Sequence, residues 1–539
     1  MSRSTLLLPL ALAAAGCFGQ VWAEGSALFP AETEADTDTD ATTTTATTSA
    51  PGEGPDEPIQ TATGEPPDET TGPIGSSTTL PDPVETPPQI LAFTVEPDTL
   101  HEAGDAQVSA LVSEDTVALQ LLVDGEEVWA GPPEAFAWSF AATSQAASEG
   151  TYTLELIARD GEGLSASATA MLWVSLPPTG AEKCAKDLGA GLLTAARYTD
   201  EALIVVGTLA GAATVWRLDP DNCQPQAGFP WTIAQWTALQ QALPASQAVG
   251  VAVDADGRMA IAANVGTGLA RQPYLAVLSP AGALQWERLG PQKQTYSGIA
   301  AAEDRFVVIG ETLVGEEPAR FDGLVESFDA KGTMLWSDVL AAPLPGDDFV
   351  DNTNKLDEHP RAISWDEGRQ ALVIVGERRV EKSPPTEWTR AFSAQYTLNG
   401  AIVGSWTSKG LEGDEDGLFA VARCGASHVA GGWVRTGPNS HAPVTRWLDA
   451  QGNGDKRRLD NLANARIQGI ACDRELKITA AAVSNSAAHS LVFKGSDDSF
   501  ADNELFEDAT LMAVDCDARG FCAAVGLQGD QAWVRVQHP

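Results

Sequence analysis

The sequence predicts an all-β protein: a disordered acidic stalk, then a β-sandwich, then a seven-bladed β-propeller. Three observations carry this prediction. A strongly apolar strand recurs seven times between residues 202 and 526. About seven shorter strand signals fall within residues 88–177. The stretch before them, residues 18–87, has almost no large apolar side chains and is dense in Thr, Pro, Asp and Glu.

The N-terminus reads as an export signal. Arg3 is followed by the apolar run Leu6 to Ala15, about ten residues, half of what a bilayer span requires. A basic start, a short apolar core and small residues at its end define a secretory signal over residues 1–16. That signal closes with Ala14-Ala15-Gly16-Cys17, which resembles the lipobox of bacterial lipoproteins, where the peptide is cut before the cysteine and the thiol is acylated. The family favours Leu three residues before the cysteine, and Ala14 stands there instead. The resemblance implies lipidation of Cys17 and a membrane partner reached through the lipid. Each buried methylene contributes about 0.8 kcal/mol, so several acyl chains tether a soluble domain durably. Phe18 rather than Asp after the cysteine implies an outer-membrane or cell-surface lipoprotein of a Gram-negative-type bacterium.

Residues 17–87 form the linker behind that anchor. They cannot bury enough apolar surface to offset the entropy of ordering, and proline with like-charge repulsion favours an extended chain. The run Asp36-Thr37-Asp38-Thr39-Asp40 lacks the glycine turn and closing acid of a calcium loop, so it reads as solvated. The formal net charge of −41 is unevenly spread: residues 1–182 hold 29 acids and two bases, a charge of −27, and the remainder carries −14. Such a surface repels nucleic acid, and no basic patch interleaved with aromatics exists in the sequence.

Residues 88–177 alternate in the manner of short strands. Ile90 to Val95 and Val108 to Val112 are two of them. Leu119 to Val123, the turn Asp124-Gly125, and Val128-Trp129 form a hairpin. Phe136, Trp138 and Phe140 alternate along one face, and Tyr152, Leu154, Leu156 and Ala158 along another. Asp160-Gly161-Glu162-Gly163 turns into a last strand, Ser167 to Val174. This pattern resembles bacterial Ig-like and PKD-type modules and implies an Ig-like β-sandwich acting as a spacer or adhesion unit. Trp138 and Trp173 are expected in its core.

Residues 183–539 repeat a four-part unit. Its second strands are clearest: Ala202 to Gly207, Met259 to Ala263, Phe306 to Gly310, Ala371 to Gly376, His428 to Gly431, Lys477 to Ala481 and Phe521 to Gly526. From Gly207 to Gly526 is 319 residues in six steps, about 53 each, the period of four-stranded propeller blades. Asp254-Ala-Asp-Gly257 and Asp517-Ala-Arg-Gly520 turn into second strands. Ser279-Pro-Ala-Gly282 before Trp286, Asp329-Ala-Lys-Gly332 before Trp336 and Leu398-Asn-Gly400 before Trp406 mark the turn into the fourth. These repeats resemble those of PQQ-like propellers and of delta-60 or SBBP-type exported proteins, which implies that the Trp packs between neighbouring blades. The last copy ends after Gln531 to Val536 with no fourth strand. Lys183 to Asp187 are placed to supply it, closing the ring and removing an exposed edge.

Beyond Cys17 six cysteines remain: Cys184, Cys223, Cys424, Cys472, Cys516 and Cys522. An even set in an exported chain favours disulfides over metal ligands. Fifteen connectivities are open. Position in the repeat favours Cys516–Cys522, Cys424–Cys472 and Cys184–Cys223. No catalytic motif, metal ligand set or cofactor signature stands out. The six histidines form no HExxH, and no GxSxG elbow is present. Gly189-Ala-Gly191 and Gly266-Thr-Gly268 are incomplete dinucleotide fingerprints. Asp449-Ala-Gln-Gly-Asn-Gly-Asp455 reads as a surface turn. Asp347, Asp348, Asp351 and Asp357-Glu358-His359 read as a solvated acidic insert between blades three and four. No two cysteines are adjacent, unlike in PQQ dehydrogenases. The function expected is non-catalytic binding of a protein, glycan or envelope component by a monomer. The alternative is an exported hydrolase or lyase with scattered residues, which requires acids, His or Arg to converge at one mouth of the channel.

Overall fold

The computed structural model describes residues 86–538 except 143–149, 178–180, 234, 237–240, 243–244, 317–318, 341–356, 384–385, 409–414, 438–439, 450–453, 459–461, 463, 474–477, 485–486, 495–498 and 508. The export signal, Cys17 and the linker to residue 85 lie outside the described residues, as do Asp347, Asp348, Asp351 and most of the 449–455 turn. Among the described residues no helix is long and apolar enough to cross a membrane.

The first unit is a two-sheet sandwich. Ile90–Glu96, Gly104–Val112 and Trp138–Ala142 form one sheet. Thr99–Leu100, Ser165–Val174, Gly150–Asp160, Thr116–Val123 and Glu126–Gly131 form the other, in that order. The hairpin turn adopts positive φ at both centres, 49° at Asp124 and 87° at Gly125, as a tight two-residue turn demands. Leu121, Leu154, Leu156, Leu172 and Val174 fill the core. That alternation corrects the expectation for Trp173. Its strand neighbours Leu172 and Val174 point inward, so Trp173 faces solvent and is 56% exposed. Trp138 packs against the core.

The second unit is a closed ring of seven antiparallel four-stranded blades. Blades two to six contain four consecutive strands each, from Ser246–Val253 through to Ser499–Glu507. Blade one is completed by Leu203–Leu209, Ala212–Leu218 and Trp231–Thr232, and blade seven by Ala509–Cys516, Cys522–Gln528 and Gln531–Gln537. One long strand, Glu182–Tyr198, joins them. Its first half pairs with Gln531–Gln537 as the missing fourth strand of blade seven, and its second half is the first strand of blade one. Gly189 (φ 107°) and Gly191 (φ 152°) make the bend between the halves. A Cβ on Gly191 would sit 2.2 Å from the Thr208 carbonyl oxygen. This is the physical reason for a Gly-x-Gly pair with no nucleotide. The seven first strands touch one another in ring order around the axis.

Seven separate hydrophobic cores lie between successive blades, one per junction. A second strand serves two of them. In Leu203–Leu209, Ile204 and Val206 face blade two while Leu203 and Val205 face blade seven. Burial on both faces is why these strands are continuously apolar rather than alternating. Trp286 and Trp336 reach forward to the next blade, donating Nε1–H to the carbonyls of Ala330 (2.9 Å) and Leu398 (2.7 Å). Their rings lie over Gly332 and Gly400, where a Cβ would approach to 2.8 Å.

The ring has two unlike faces. At the seam face, first strands turn into second strands. All three disulfides lie there: Cys184–Cys223 across the ring closure, Cys424–Cys472 between blades five and six, and Cys516–Cys522 within one hairpin. Such crosslinks fit an oxidising, non-cytoplasmic compartment. The sandwich docks on the same face. Ala103 is buried in the core between blades seven and one. Lys183, with its side chain 4% exposed, bonds Glu102 of the sandwich at 3.1 Å and Asp221 at 2.7 Å, above the Phe521 ring at 3.9 Å. First strands begin at the opposite face, called here the mouth.

Candidate functional site

The mouth site grows out of two repeated backbone features. Each first strand carries one β-bulge against its second strand. The bulged residues are Thr194, Val249, Ser297, Arg361, Phe419, Gln468 and Met512, all half-buried on the innermost strands. Arg361 is the one charged residue in this ring. Facing the bulges, second strands carry Gly207, Gly310, Gly376, Gly432 and Gly526. A Cβ at any of these would lie 1.8 to 2.2 Å from a first-strand carbonyl oxygen, so only glycine fits. Three of these glycines are followed by Glu311, Glu377 and Trp433, and Glu311 of blade three lies 3.7 Å from the bulged Arg361 of blade four.

These features assemble one cluster across blades three to five. His359 donates Nδ1–H to Glu311 Oε1 at 2.9 Å. Arg361 lies 3.7 Å from Glu311 and donates to Glu377 at 3.2 Å. Trp433 donates its indole N–H to the other oxygen of Glu377 at 2.9 Å. Phe321 packs on the His359 ring and Phe419 under Arg361. Burial pushes the Glu311 carboxyl up. The His359 hydrogen bond and the charges of His359, Arg361 and Arg271 outweigh it and hold the group below its ordinary range. His359 Nε2 has no hydrogen-bond partner among the described residues.

Behind this group lies a deeper polar layer. Glu358 and Arg378, with side chains 1% and 2% exposed, pair at 3.3 Å. Arg378 also donates to Thr407. Neither Glu358 oxygen accepts a hydrogen bond among the described residues. Burial raises its carboxyl to about 8. Arg378 counters that rise, and Asp322 and Asp357 add to it. Asp416 accepts from the Ala391 amide at 3.1 Å, from Arg446 at 2.6 Å and from Ser408.

These positions revise one expectation. Asp357-Glu358-His359 is no solvated insert but the opening of the first strand of blade four, Asp357–Asp366. Strand ends deliver polar groups into the mouth. Part of the signal was present in the repeat: of the residues that follow the five repeated glycines, Thr208, Glu311, Glu377, Trp433 and Leu527, three belong to this cluster. Arg361 was hidden, because a bulge shifts which side chain faces inward. The six cysteines lie at the seam face, far in topology from this cluster. Among the described residues no group of three or more His, Cys, Asp or Glu side chains is arranged to hold a metal ion. A shallow, mainly apolar groove of about 560 Å³ lies elsewhere, beside Leu188, Trp216 and Thr232, with none of this charge clustering.

A closed seven-bladed β-propeller with a sandwich on one face and a charged mouth on the other defines the class of this protein. No protein-family model matches the chain, and neither does any curated protein sequence. Among solved structures it is similar to the WD40 β-propeller domain of Doa1, at 10% identity and a TM-score of 0.41, covering 66% of this chain and 96% of that one. It is also similar to Kuenenia stuttgartiensis hydrazine synthase, at 11% identity and a TM-score of 0.42, covering 67% and 97%. Likenesses this distant carry no argument about activity.

Proposed function

We propose that this protein is an exported, lipid-anchored, non-catalytic receptor of the cell envelope, whose propeller binds a protein, glycan or envelope component at the mouth. One observation carries the reading: the paired charges and aromatic rings gather on the ring face opposite the docked sandwich. Buried ion pairs contribute little to stability beyond apolar residues of the same volume, so their concentration at one mouth supports a recognition role. Among the described residues Arg361 is paired with two glutamates and Arg446 with Asp416. Such a surface suits a ligand recognised by hydrogen bonding and stacking.

The test is a binding screen of envelope glycans and envelope proteins against the intact protein and Arg361→Met. The reading expects the tightest hit to weaken about tenfold or more, as for the loss of a central interface arginine. Unchanged affinity overturns it. The tether is tested by Cys17→Ser, which is expected to move the protein from the membrane to the soluble fraction.

A second reading rests on the His359–Glu311 pair. A carboxylate orienting an imidazole whose other nitrogen is unpartnered is the arrangement of a general base, so the hydrolase or lyase alternative takes His359 as its base. Turnover of any bound ligand, abolished in His359→Gln, would favour it over the receptor.

A further inference from the structure

The sandwich carries a surface that the mouth does not use. Along Ser165–Val174 the alternate side chains Thr169, Met171 and Trp173 point away from the core and are exposed. Met171 is 69% and Trp173 56% exposed. Across the strand pair Thr151 stands opposite Trp173, Thr153 opposite Met171 and Glu155 opposite Thr169. Thr151 and Thr153 are exposed as well. An indole and a thioether therefore lie in line along one strand, with hydroxyls beside them and one carboxylate among the six residues. The surrounding domain is far more charged: residues 88–177 hold 14 acids and one base.

Charge narrows what covers this face. A domain charge of −13 repels a second copy of itself, the chain's own acidic linker and anionic polymers. A neutral polyhydroxylated chain meets no such penalty. The CH face of a sugar ring stacks on an indole, burying apolar surface with a defined geometry. Its hydroxyl edges match threonine hydroxyls, which both donate and accept. Two paired strands present these groups along a line, as an extended polymer requires.

We propose that this face binds an extended neutral polysaccharide, with Trp173 stacking on one sugar ring and Thr151 and Thr153 bonding its hydroxyls. The site is separate from the mouth and does not depend on what the mouth binds. It gives the protein a second hold on its surroundings, beside the ring.

The test is co-sedimentation of the full chain with three insoluble neutral polysaccharides, cellulose, chitin and a mixed-linkage β-glucan, beside alginate and a basic protein as controls. The expected result is sedimentation with at least one neutral polysaccharide. Trp173→Ala weakens it about tenfold or more, Trp173→Phe retains most of it, and Arg361→Met leaves it unchanged. Because Trp173 is a solvent-facing residue, unchanged thermal unfolding of both Trp173 variants separates lost binding from lost fold. No sedimentation with any of the three overturns the proposal, as does full binding by Trp173→Ala or binding to the basic protein alone. Loss in Arg361→Met with retention in Trp173→Ala would place glycan binding at the mouth and overturn it equally.

Discussion

The seam face and the mouth of this ring solve opposite problems. At the seam the chain must join its first and last blades, and it does so with the shared strand Glu182–Tyr198, the Cys184–Cys223 crosslink and the buried Lys183. Every such contact adds to closure. At the mouth, strands of blades three and four carry Glu311, Glu358, Arg361, Glu377 and Arg378, ionisable groups held largely out of water. Desolvation there consumes most of the Coulombic attraction. One face is therefore built for permanence, and the other keeps groups whose value lies in what they meet. The difference also separates their chemistry: all three disulfides are at the seam, and the Glu358 carboxyl raised to about 8 is at the mouth.

The largest expected effect lies at the mouth. The Glu358 carboxyl is raised from 4.5 to about 8. A raised folded-state value means that its contribution is fully present below the ordinary carboxylate range and is lost as pH rises through 8. At about 1.4 kcal/mol per unit the loss reaches on the order of 5 kcal/mol. Glu358→Gln, which mimics the protonated acid, should flatten the alkaline side of a denaturant-midpoint against pH profile. An unchanged profile in the variant would mean that the group is ionised in the fold. The seam comes next. Cys184 and Cys223 are 39 residues apart, so replacing both with Ala should cost about 4 kcal/mol by the loop-entropy relation. The loss should be independent of pH between 5 and 9, and chemical denaturation at both ends of that range reads it directly. A pH-dependent loss would join the two faces energetically and break the comparison.

Much of the fold was legible before any coordinates. Seven apolar second strands announced seven blades, because a strand buried on both sides has no polar alternation. Lys183 to Asp187 were placed as the closing strand, and the structure pairs Cys184, Ala185, Lys186 and Asp187 with Gln531–Gln537. The six cysteines pair as their positions in the repeat favoured. The mouth was less legible. Asp357-Glu358-His359 resembles any exposed acidic run until it is seen to begin a strand. Trp173 was misplaced because aromatic content outweighed the alternation of Leu172 and Val174 around it.

The sequence by itself determined the order of strands, the blade number and the repeated glycines, since each is a local property of burial or backbone geometry repeated at a fixed period. Only the tertiary structure decided which residues meet. The bulge in the first strand of blade four turns Arg361 toward Glu311 and Glu377, the stacking of successive blades brings blade three beside blade four, and ring closure makes the seam on which the sandwich docks. Those juxtapositions come from residues far apart along the chain. No local pattern records them, because the contact depends on where two blades stand around an axis.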